Sequence, residues 1–164
     1  DKAVYAYSYT HYQTWSEKLN SDFKEYGLVG ENLTIDDFDE DKINIGDQFK
    51  INECLLQVSQ PRIPCYKIGI KLNSREFPKM FSQSGLLGSY LRVIHDGEIS
   101  PGDAIHKVYS EENSMSIKDI AHLLFVDVKN IELMKQALDI KPLTEEIKEK
   151  FRERLMKLGD FSSL

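Results

Sequence analysis

The sequence predicts a mainly β fold with peripheral helices over residues 1–112, followed by a small three-helix unit over residues 113–164. Three observations carry that expectation. Before residue 110, apolar and polar residues alternate in several short segments, the period of strands with one buried face. Turn signals such as Asp96-Gly97 and Pro101-Gly102 separate those segments. Beyond residue 114 the period lengthens to that of helices, with Ser116 and Asp119 spaced as a capping box and Gly159 placed as a stop.

Each element follows from its residues. Val4 and Ala6 alternate with Tyr5 and Tyr7, which predicts a strand. Thr10, with Gln13 three residues on, predicts a helix N-terminus, and Tyr12, Trp15 and Leu19 then share a face. Leu33 to Ile35 reads as a short strand after glycines 27 and 30, and the acidic run "DDFDEDK" as a solvated connection. Phe49 and Ile51, then Cys54, Leu56 and Val58, predict a hairpin turning at Asn52-Glu53. Phe77, Met80 and Phe81 suggest a helix from Glu76 to Gln83. Leu91 and Val93 alternate with Tyr90 and Arg92 in a further strand. The tail predicts one helix from Ser116 through Leu124, a second capped by Asp127 and running through Leu138, and a third from Glu145 to Leu158. Three helices this short seldom hold a core alone, so they are expected to pack on the β part or on a partner.

Composition narrows the function. Hydrophobic residues make up 41% and charged residues 29%, which suits a globular protein with a core of its own. No apolar run approaches the roughly 18 to 20 residues that span a bilayer, and the first residues do not read as a signal peptide, so a cytoplasmic, membrane-free protein is expected. A formal charge of −6 argues against binding nucleic acid by general phosphate attraction. Two cysteines form no disulfide framework and no CxxC zinc pattern. His11, His95, His106 and His122 show no metal-ligand spacing and read as surface or satisfied residues.

The two cysteines read differently. Cys54 belongs to an apolar alternation and is expected to be a small buried hydrophobe. Cys65 ends "VSQPRIPC", where Pro61 and Pro64 stiffen the backbone and stop sheet pairing. Arg62 and Lys67 lie within three residues of it, and positive charge favours the thiolate, the form that attacks or binds a soft metal. A buried inert thiol is equally compatible with the local sequence. Lys2, Arg62, Lys67 and Arg92 are compatible with an anion pocket or with ordinary surface charge. Arg92, inside a strand, requires solvent or a partner. Glu31 and Asn32, after Gly30, suit either a ligand or the backbone of a turn.

The stretches "DKAVYAYS" (1–8), "HYQTW" (11–15), "GENLT" (30–34), "IGDQF" (45–49), "VSQPRIPCYK" (58–67), "SGLLGSYLRV" (84–93) and "GEISPGD" (97–103) together resemble the MOSC domain, named for the C-terminal part of molybdenum cofactor sulfurases. The tail resembles the three-α domain that follows MOSC in one bacterial branch. This resemblance implies a β-barrel that binds a pterin-based molybdenum cofactor (molybdopterin), with Cys65 as the metal ligand and catalytic residue. It further implies that Lys2, Arg62 and Arg92 hold the pterin's phosphate or ring carbonyls, that Asn32 and Gln60 contact the pterin or substrate, and that Lys67 tunes the thiolate. Stand-alone members resemble reductases of N-hydroxylated compounds, including hydroxylamino purines. No flavin or NAD(P)H motif is visible, so a separate flavoprotein is the expected electron donor. A homodimer stays open. Two rival readings are a cofactor carrier or sulfur-transfer protein using a Cys65 persulfide, and a non-catalytic binding module. Family members carry several strands and a His-Gly-Gly stretch before the opening "DK", so an upstream portion is expected to be missing from this chain. The chain also lacks the sulfurases' pyridoxal-phosphate domain and with it that route to sulfur.

Overall fold

A computed structural model describes residues 1–20, 23 and 25–160. Its strands are β1 (Val4–Ser8), β2 (Leu33–Ile35), β3 (Gln48–Ile51), β4 (Cys54–Pro61), β5 (Ser89–His95) and β6 (His106–Tyr109). They form one curled sheet, half a barrel, in the order β2-β1-β5-β4-β3-β6. Among the described residues β1 and β2 pair in parallel and the other ladders are antiparallel. The predicted hairpin forms with Ile51 opposite Cys54, and Asn52 takes the left-handed conformation that the turn requires (φ 51°).

Helices cover both faces. On one, Tyr5 and Tyr7 pack with Tyr12 and Trp15 of α1 (Tyr9–Leu19) and with Phe77 and Phe81 of α3 (Phe77–Gln83). On the other, Ala6, Leu56, Val58 and Leu91 meet α4 (Ile117–Phe125), α5 (Ile131–Asp139) and α6 (Glu145–Lys157). Ile120, Leu123, Met134, Ile147 and Phe151 from those helices are fully enclosed, so the tail packs on the sheet as expected. The mainly β class with its three-helix tail stands. Among the described residues no helix is long and apolar enough to cross a membrane.

Two local expectations are corrected. Ser8, not Thr10, is the N-cap of α1. Ser8 keeps extended backbone (φ −77°, ψ 133°) and its hydroxyl meets that of Thr10 at 2.9 Å, so the Thr10–Gln13 box does not form. Asn130, not Asp127, caps α5: its Oδ1 accepts from Leu133 N at 3.1 Å, while Asp127 accepts from the Asn130 amide at 2.8 Å. Ser116 and Asp119 do form the predicted box. The segment after Cys65, for which no element is predicted, is helical: α2 (Tyr66–Lys71) starts directly on it. Six residues are too short a stretch to establish a helical period.

Gly88 joins the two apolar layers at the entry to β5. Its φ is +65°, and a Cβ there would lie 2.3 Å from the Ala6 carbonyl oxygen and 2.9 Å from the Tyr7 ring. Backbone on one side and an enclosed ring on the other leave it no room. Gly88→Ala is therefore expected to destabilise the fold by about 3 kcal/mol or more, read as the shift in urea midpoint.

Candidate functional site

Alternation along β1 and β5 places Tyr5 directly opposite Tyr90, with ring centroids 5.4 Å apart. Cations flank this aromatic pair. The Arg62 guanidinium lies 4.5 Å over the Tyr5 ring, and Lys2 Nζ lies 5.9 Å over Tyr90. The order Lys2, Tyr90, Tyr5, Arg62 thus runs across the sheet as one row. Burial holds the Tyr5 hydroxyl well above its ordinary pKa, with Arg62 acting in the opposite direction, so this phenol stays neutral and donates to the Leu87 carbonyl at 2.8 Å.

Arg62 leaves β4 just after Pro61. Its backbone N–H donates to the Gly88 carbonyl at 3.3 Å. Gly30, at φ +90°, approaches its guanidinium closely enough that a Cβ would sit 3.6 Å from one terminal nitrogen. Among the described residues, two buried side-chain polar atoms have no partner: Arg62 Nε and Glu31 Oε2. The other Glu31 oxygen accepts from Gly27 N at 2.9 Å, from Thr34 Oγ1 at 3.2 Å and from the Tyr12 hydroxyl. Leaving a donor and an acceptor buried and unmet is costly, and both stand beside the aromatic row.

The other expected site residues fall into three groups. Asn32 is exposed and serves the turn: its Oδ1 accepts from Tyr5 N at 2.9 Å and its own N–H donates to the Tyr5 carbonyl at 2.9 Å. Gln60 and Arg92 face the helical tail. Gln60 is fully buried, and its Oε1 accepts from Thr144 Oγ1 at 2.6 Å. Arg92 donates to Gln57 Oε1 at 2.8 Å and to the Pro142 carbonyl at 3.3 Å, and pairs with Asp1. Lys2 pairs with Glu146 of α6. Cys65 and Lys67 are exposed at the start of α2, three and five residues beyond Arg62.

Sequence reasoning therefore missed the partners that organise the cations. Tyr5 and Tyr90 read simply as members of strand alternations, and nothing local marks the contacts that residues 142–146 make. Cys54 is buried as expected, and burial together with nearby Asp96 raises its thiol pKa, which makes it an inert core residue. His11 is also buried and satisfied, with Nε2 2.7 Å from Glu40 Oε2.

The MOSC domain family matches residues 1–106. The chain belongs to the MOSC family. A second family, the YiiM-like 3-alpha helix domain, matches residues 115–158 of this MOSC protein. The uncharacterized protein YflK of Bacillus subtilis is 33% identical over 94% of the chain and 69% of its own length. The crystal structure of YiiM from Geobacillus stearothermophilus superposes with a TM-score of 0.89 at 34% identity, covering 94% of this MOSC chain and 78% of that one. A protein of Gibberella moniliformis named a reductase is 27% identical over 94% of the chain, which spans 28% of that longer protein.

MOSC domains are associated with molybdenum cofactor binding, and the residues here fit such a group. Among the described residues no cluster of three or more His, Cys, Asp or Glu side chains makes a protein cage for a metal. A metal held at Cys65 would take its remaining ligands from a bound organic group. The unmet Arg62 N–H suits a phosphate or ring carbonyl, and the unmet Glu31 oxygen suits an amine or ring N–H.

Proposed function

We propose that this MOSC protein binds a pterin-based molybdenum cofactor through Cys65 and reduces N-hydroxylated compounds, hydroxylamino purines among them, to amines. The observation that carries this reading is an exposed cysteine three residues from a guanidinium whose buried Nε has no partner. The reductase name of the fungal relative supports the reaction class. Cys65 offers the sulfur ligand, since soft thiolate suits the metal better than a hydroxyl does. Arg62 binds an anionic or carbonyl oxygen of the cofactor by a charge-assisted hydrogen bond, and Tyr5 fixes the guanidinium by stacking. Lys2 adds positive charge at the Tyr90 end of the row, and Arg92, Asn32 and Lys67 are the further groups that the family resemblance assigns to the cofactor. When bound, the cofactor supplies the two-electron chemistry of RNHOH + 2e⁻ + 2H⁺ → RNH₂ + H₂O. Electrons come from a separate flavoprotein.

Metal and pterin analysis tests this directly. The full-length protein, purified from molybdate-fed cells, is expected to carry about one molybdenum and one pterin per chain, and to turn over hydroxylamino purines with a reduced flavoprotein. Protein that holds neither metal nor pterin overturns the reading. A persulfide mass on Cys65 without turnover would favour sulfur transfer in its place.

A further inference from the structure

The start of α6 departs from the rules of its own helix. Thr144 is its N-cap, with extended backbone (φ −65°, ψ 147°), yet its side chain makes no cap hydrogen bond. An N-cap threonine ordinarily accepts from an amide of the first turn. Here the hydroxyl instead donates to Gln60 Oε1 at 2.6 Å, between two side chains that are both buried. A local rule broken without local benefit points to a role elsewhere.

That role lies at the aromatic row. Gln60 stands opposite Tyr90 in the β4–β5 ladder, and Tyr90 is the ring between Lys2 and Tyr5. With its oxygen held by Thr144, the Gln60 carboxamide keeps its NH₂ group as donor. That nitrogen reaches only the Pro61 carbonyl at 3.5 Å, too long for a full-strength bond. The neighbouring contacts repeat the pattern: the Pro142 carbonyl accepts from Arg92, and Glu146 pairs with Lys2. Residues 142–146 therefore touch Lys2, Gln60 and Arg92, three of the groups that the family resemblance assigns to the cofactor.

We infer that the three-helix unit is a wall of the cofactor site, with Thr144 as a positioning residue that aims the Gln60 amide at the bound cofactor. The inference rests on the proposed function and deepens it. A tail that served only to dock a partner would leave cofactor retention untouched. A wall does not.

The test compares full-length wild type with Thr144→Val, Thr144→Ser, Gln60→Ala and the Gln60→Ala/Thr144→Val double variant, each purified from molybdate-fed cells. Molybdenum and pterin per chain, and their rate of loss during dialysis, are the readouts, with circular dichroism and melting temperature reporting the fold. Thr144→Val and Gln60→Ala are each expected to lower retention about tenfold or more, as loss of a supporting hydrogen bond does at metal sites. Thr144→Ser restores retention, and the double variant retains no less than Gln60→Ala alone, because the hydroxyl acts through the amide. If valine unfolds the junction, Thr144→Ala replaces it in the same comparison. A folded Thr144 variant lacking the hydroxyl that retains cofactor like wild type overturns the inference alone. So does a loss that adds in full to that of Gln60→Ala. Wild-type protein free of molybdenum and pterin overturns this inference together with the proposed function.

Discussion

Cys65→Ser is expected to leave the protein folded and to strip it of molybdenum, from about one atom per chain to below a tenth. Both halves follow from where the residue sits. Cys65 is exposed at the N-cap of α2, so its replacement opens no cavity, and serine is itself a good N-cap. Such a surface exchange changes stability by about 0.5 kcal/mol or less. The metal bond is another matter, because a serine hydroxyl at neutral pH offers neither the softness nor the charge of a thiolate. Cys54→Ser is the matched control. That residue is buried among Ile51, Leu56 and their neighbours, so a hydroxyl there is expected to cost about 1–3 kcal/mol of stability while metal content holds. Elemental analysis and urea melts of the two variants separate the outcomes. Full molybdenum occupancy in Cys65→Ser would remove this sulfur from the site.

A steep loss of stability in alkali is the second large effect. Tyr5 and Tyr7 are almost wholly buried, and burial raises both phenols well above the ordinary value of 10.0. The Tyr7 oxygen accepts from Trp15 Nε1 at 2.8 Å, and Tyr5 donates to Leu87. Above pH 10 the unfolded chain gives up these two protons and the folded one keeps them. The unfolded state then binds fewer protons, so stability falls as pH rises through the unfolded pKa and on toward the folded one. Each phenol contributes a slope of up to about 1.4 kcal/mol per pH unit, or about 2.7 kcal/mol per unit for the pair. Urea midpoints between pH 9 and 11.5 measure it, and Tyr5→Phe is expected to remove its own share of the slope, up to about 1.4 kcal/mol per pH unit. A slope that Tyr5→Phe leaves unchanged would show that its phenol ionises with ordinary ease in the fold.

Much of this architecture can be read from residue order. Alternation marks β1, β3, β4 and β5, the Asn52-Glu53 turn joins the hairpin, and Ser116 with Asp119 opens α4. The contrast between Cys54 and Cys65 was also legible, because one falls inside a period of two and the other outside it. What stayed hidden depends on distance along the chain. Nothing near Lys2 or Arg92 says that Glu146 and Pro142 will reach them, since those contacts exist only after the tail folds over the sheet. Gln60 read as a cofactor contact, while Thr144, its actual partner in the fold, was simply the start of a helix. The choice of Ser8 over Thr10 as cap turns on where β1 stops pairing, at the register Ser8 opposite Ile35.

The place of β1 in the sheet sets the order in which the molecule can assemble. Tyr5 pairs with Tyr90 on one side and Ala6 with Leu33 on the other, so an early strand sits second from the edge and waits for a late one. On the ribosome, β1 and β2 emerge before β5 and cannot gain that ladder until Ser89–His95 has been made. During that interval the edge of β1 that will meet β5 is unpaired at Tyr5, and a chaperone that shields aromatic segments would find its substrate there.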